Sequence, residues 1–134
     1  MKIGNEMDAL TLRVVCCGDS PEKYTQIVDL TVDRAEIDQR VIDTVEQNLD
    51  AGLTRDLHNA AHHDQHGPVT YLQEVHEGGF FVTVGQPGQL QETFFGPGDW
   101  VAFTDDEGPG HGSRVGPDGV RRTMRILKGL LGQW

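Results

Sequence analysis

The sequence predicts an α+β fold, with a mainly antiparallel sheet of about six short strands and helices packed on one face. Three patterns carry that expectation. Apolar residues alternate along 10–17 and 24–32, apolar residues recur at four-residue spacing after Asp33, and short β-branched and aromatic runs fill 69–104 between glycine and proline turns. The resulting order is ββ-αα-ββββ-α. Strands and helices grouped in runs, rather than strictly alternating, favour antiparallel pairing over a doubly wound sheet.

Each element has a local reason. Leu10, Leu12, Val14 and Cys16 fall on one face of a strand and Thr11 and Arg13 on the other. Asp19-Ser20-Pro21 makes a turn into a second alternating run from Tyr24 to Val32, so the two form a hairpin with a longer loop. Asp33 stands three residues before Glu36 in a capping-box pattern, and Ile37, Val41, Val45 and Leu49 follow as a helical stripe. Gly52 suits a helix C-terminus, and a second helical piece spans Leu53 to His66, stopped by Gly67-Pro68. Strands are expected over Val69 to His76, Phe80 to Val84, Leu90 to Phe95 and Trp100 to Thr104. Gly78-Gly79, Gln86-Pro87-Gly88 and Gly96-Pro97-Gly98 separate them. Residues 105–119 read as a loop holding five glycines and two prolines. Val120 to Trp134 reads as a C-terminal amphipathic helix, with Val120, Met124, Leu127, Leu131 and Trp134 along one face.

The 134 residues form one domain, 1–134, long enough for a modest core. Charge is divided along it. The first 113 residues hold 6 basic and 20 acidic side chains, a net of −14, whereas the last 21 hold Arg114, Arg121, Arg122, Arg125 and Lys128 against Asp118 alone, a net of +4. Phosphates would be repelled by the acidic body, which makes nucleic acid an unlikely partner. Adjacent Cys16 and Cys17 read as reduced thiols in a strand, consistent with a cytoplasmic setting. No apolar run suggests a signal peptide or a membrane span.

Four of six histidines fall within nine residues. On a helix His58, His62 and His66 are successive i, i+4 neighbours that could share a divalent ion, with His111 as a further ligand from the glycine-rich loop. Zinc, nickel or copper suits such nitrogen ligation. The opposing reading is a polar, solvated helix face, and the run lacks the glutamate of a metalloprotease helix. Asp105-Asp106-Glu107 beside His111 could complete a cation site, but the spacing is not that of an EF-hand and the glycines form no phosphate loop.

No catalytic residue is assigned. Asp19 raises rather than lowers the reactivity threshold of Cys16 and Cys17, and neither Ser20 nor Ser113 sits in a nucleophile elbow. The sharper lead is the C-terminal segment. Arg121, Arg125 and Lys128 lie opposite Leu127, Leu131 and Trp134, so the helix either closes the core, exchanges between copies, or meets an anionic surface.

The expected function is a non-enzymatic protein-binding or self-assembly module, an acidic body with a basic docking helix, whose partner is another protein or a second copy. Two alternatives stand beside it. One is a metal-binding protein or metal-dependent enzyme using the 58–66 histidine stripe. The other is a small acidic inhibitor, of antitoxin-like, immunity-like or phage-borne type, seated in a basic groove.

Overall fold

The computed structural model describes residues 8–58 and 67–132, with the backbone alone at His58. Regular structure in these residues is almost entirely strand. It comprises β1 (Ala9–Cys17), β2 (Thr25–Asp33), α1 (Arg34–Arg40), β3 (Val41–Leu49), β4 (Thr54–His58), β5 (Val69–Val84), β6 (Gln91–Phe95), β7 (Trp100–Phe103) and β8 (His111–Lys128). The expected α+β class is therefore corrected to a mostly β fold with an eight-stranded mixed sheet.

The main path of the sheet runs β2-β1-β7-β5-β8-β3, with β4 joined to β8 and β6 joined to β5. Among the described residues only β1 and β7 pair in parallel, Val14 beside Ala102. Strands β5 and β8 form the spine. The first half of β5 lies between β7 and β8; past Gly78-Gly79 its other neighbour becomes β6. Likewise β8 exchanges β4 for β3 along its length. Register shifts between Val75 and Glu77 and between Gly78 and Phe80 mark the bend. Gly78 has a φ of +66°, and a Cβ there would stand 2.0 Å from the Gly119 carbonyl oxygen, so only glycine lets the two strands cross this closely.

The bend folds the second part over one face of the first. Val15, Val75, Val101 and Phe103 pack there against Phe80, Val82, Val84, Phe95, Val115 and Val120. On the opposite face a smaller cluster holds Leu12, Val14, Leu72, Ala102 and Leu127, covered by Ile37 of α1 and by Leu131. The phenylalanine pairs divide as alternation requires. Phe80 and Phe95 are buried and 5.7 Å apart, while Phe81 and Phe94 meet on the outer face at 4.9 Å. The exposed Phe94 ring lies over glycines: a Cβ on Gly79 would come within 2.3 Å of it and one on Gly96 within 3.0 Å. An aromatic covering backbone without side chains restores packing at a sheet margin.

The expected β1–β2 hairpin forms in register from Ala9↔Asp33 to Cys17↔Thr25. Asp33 does cap a helix, its carboxylate accepting from the Ala35 amide at 2.9 Å, but that helix ends at Arg40. A four-residue spacing is also a multiple of two, so it fits one face of a strand as well as a helix. The β-branched residues Val41, Ile42, Thr44 and Val45 favour the strand. The expected second helix, Leu53 to His66, is a strand over Thr54–His58, and its remainder lies outside the described residues. The expected C-terminal helix is the second half of β8, which is paired on both sides by β5 and β3. Two ladders outweigh a helical apolar stripe, because sheet pairing satisfies the same backbone groups and still buries Val120, Thr123 and Leu127. Much of the expected glycine loop is strand too, since β8 begins at His111. Among the described residues no helix is long and apolar enough to cross a membrane.

Candidate functional site

Of the expected histidine ligands, His58 and His111 lie within the described residues, and both are on strands rather than on a helix. His58 ends β4, and its backbone stands directly opposite His111 in the β4–β8 ladder. His62 and His66 lie outside the described residues. His111 is committed to the interior: its Nδ1 lies 2.5 Å from Asp105 Oδ2, both residues are buried, and its ring stacks 4.5 Å from Phe103. The second carboxylate oxygen of Asp105 has no hydrogen-bond partner. The Thr25 hydroxyl donates to the Gly110 carbonyl and holds the loop ahead of β8 on the N-terminal hairpin.

The rest of the acidic loop faces a different group. Cys17 Sγ lies 3.9 Å from Asp106 Oδ1 and 3.5 Å from the Glu107 carbonyl. One ligand atom each from Cys17, Asp106 and Glu107 fall within 4.8 Å of one another. They line a cleft of about 640 Å³ between the β1–β2 hairpin and the turn at Leu131. Burial raises both thiols above the ordinary range; Cys17, Asp105 and Asp19 add to the effect at Cys16, and Asp106 and Asp105 add to it at Cys17. Free thiolate is thus disfavoured, so this cleft is unsuited to a cysteine nucleophile unless a cation offsets its field.

The four C-terminal arginines each meet a partner within the chain. Arg114 meets Glu92 at 3.0 Å and covers Phe81 at 4.1 Å. Arg121 meets Glu77 at 3.5 Å, and Arg125 meets Glu74 at 3.0 Å while stacking on Trp100 at 4.9 Å. Arg122 donates to Gln47 at 2.7 Å over the Phe80 ring, and burial lowers its guanidinium to about 10. Of the residues expected at an interface, Leu127 and Leu131 are core. Lys128 is exposed and Trp134 lies outside the described residues. The basic helix is thus replaced by a strand, three of whose arginines pair with glutamates of neighbouring strands.

What remains open is the sheet's margin. β2 and β3 end the main path, each nine residues long, with one neighbour apiece among the described residues. Val28 on β2 is 40% exposed and Val45 on β3 is 37% exposed. On β3 the Thr44 amide is bonded at 2.8 Å to the Asp43 carboxylate, not to β8, so it points to the open side. Sequence reasoning missed this site because β3 carried the spacing of a helix. Its β-branched composition was the signal available. No protein-family model matches this chain, and no curated protein is significantly similar to it.

Proposed function

We propose that the protein is a protein-binding or self-assembly module that engages its partner by adding a strand to an open sheet edge. The observation that carries this reading is the pair of nine-residue strands, β2 and β3, at the two ends of the main path. An unpaired edge offers a row of amides and carbonyls to an extended segment, and side chains on alternate positions supply selectivity. Acidic residues on both edges, Asp29 and Asp33 on β2 and Asp43 and Glu46 on β3, repel indiscriminate pairing. They favour an occupant that is basic or whose charges are matched in register.

Amide hydrogen exchange tests this, run at low and high protein concentration and with a nine-residue peptide of alternating lysine and valine. Protection gained on β2 or β3, with β5 and β8 unchanged, is the expected result. Outward amides of β2 and β3 that exchange as fast as the turn at 86–90 under every condition would sink the reading.

A second reading, cation binding, is favoured by the Cys17, Asp106 and Glu107 ligand atoms in the cleft. Mixed sulfur and oxygen donors suit zinc or a similar divalent metal, which would displace the thiol proton. Native mass spectrometry with added zinc reads it out: one tightly held ion, lost in Cys17→Ser, supports the site, and weak uptake unchanged by that substitution removes it.

A further inference from the structure

The two open edges differ in what they can accept, and β3 is built to accept itself. We infer that β3 pairs with β3 of a second copy, antiparallel about a two-fold axis at Val45, joining two sheets into one. The inference rests on the edge-docking reading above and names the edge, the occupant and the register.

In a strand the outward backbone groups alternate, so an outward Thr44 implies an outward Glu46, while Asp43, Val45 and Gln47 bond to β8. Antiparallel self-pairing must match outward residues with outward ones, so the two-fold axis has to fall on a residue rather than between two. Centring it on Val45 overlaps the whole strand. Val45 then faces Val45, Asp43 faces Gln47, and Thr44 faces Glu46, so no like charges oppose. The Thr44 amide would give up its local bond to Asp43 for the Glu46 carbonyl of the second copy. Centring on Asp43 or on Glu46 instead sets identical carboxylates face to face, which disfavours those two registers, and centring on Thr44 or Gln47 shortens the overlap. The irregularity between Val41 and Asp43 confines the regular ladder to the central residues.

The other edge lacks this property. Full-length antiparallel pairing of β2 with itself centres on Asp29 and sets two carboxylates opposite each other. Pairing β2 with β3 of the next copy leaves an open edge at each end and yields a growing chain of subunits, not a closed pair. The exposed Phe94 is not a competing contact, because its ring already covers the glycines beside it.

Sedimentation velocity over a wide concentration range, with disulfide trapping in Val45→Cys, tests the pairing. A reversible dimer that grows no further is expected, and mild oxidation should link two copies of Val45→Cys within minutes, located by peptide mapping away from Cys16 and Cys17. Val28→Cys on β2 should give no such link. Val45→Asp, at a position already 37% exposed, should keep the fold and weaken the dimer at least tenfold. A dimer that survives Val45→Asp, or species larger than two copies, would overturn the β3 two-fold while leaving edge docking standing. A monomer throughout the range overturns self-pairing. In that case protection of β2 or β3 by the basic peptide alone decides whether edge docking survives.

Discussion

The two faces of the central sheet are closed by different means. One is covered by the chain's own continuation: β5 and β8 bend at Gly78-Gly79 and carry Phe80, Val82, Val84 and Val115 over Val15 and Phe103. The other is covered by seven residues of helix and a turn, which bring Ile37 and Leu131 down on Leu12, Leu72 and Leu127. A sheet layer spans its neighbour, whereas a two-turn helix does not. The cleft at Cys17 and Leu131 is what the shorter cover leaves open. The apolar interior is shared between a closed side and a side with a vent.

Truncating one residue on each side is the strongest way to break this contrast. Phe80→Ala should cost about 3–5 kcal/mol and Ile37→Ala about 2–4 kcal/mol, read by urea unfolding. Near-equal losses with a single shared transition would mean that the two covers act as one unit; a separate early transition in Ile37→Ala would mean that the helix side opens alone. Next in size is the bend itself. Gly78→Ala adds a Cβ against the Gly119 carbonyl at a positive φ and should destabilise by about 1–3 kcal/mol. An unchanged midpoint would remove the glycine crossing as the reason for the bend.

The smallest effect is a pH dependence on the vented side. Both thiols are raised above the ordinary value of 9.0, mainly by burial. Their contribution to stability is therefore complete below that value and is lost as pH rises through the higher folded-state values. Thermal midpoints should fall as pH rises above about 9, and less steeply in Cys16→Ser/Cys17→Ser, because the unfolded chain then gains nothing by releasing those protons. Parallel slopes in the two proteins would show that other groups govern the loss.

Strand pattern was legible wherever one reading fitted alone. The β1–β2 hairpin and the runs that became β5, β6 and β7 were readable from alternation and turn residues. Gly78-Gly79 misled because a glycine pair bends a continuous strand as readily as it separates two. The strands β3 and β8 were hidden by a different cause. Ile37, Val41, Val45 and Leu49, like Val120, Met124, Leu127 and Leu131, keep helical spacing, and only pairing partners distant in sequence show that the spacing belongs to a sheet. The same blindness covered the candidate site. A free edge is defined by what does not lie beside it, and no window of residues contains that information. His111 was readable as chemically notable, but its buried Asp105 partner is six residues earlier in a stretch that read as a solvated loop.

The parallel pairing of β1 with β7 also orders events in time. Val14 needs Ala102 beside it, and β7 is completed long after the N-terminal hairpin has been synthesised. Until then β1 carries the apolar face of Leu12 and Val14 and an unpaired inner margin, and closing so long a loop is slow compared with forming hairpins. Docking the N-terminal hairpin on β7 closes a longer loop than pairing β5 with β6 or with β8, which makes it the slower step expected from contact order. The waiting hairpin is the stretch most in need of protection in a newborn chain, and the acidic residues along β2 supply some of it by mutual repulsion.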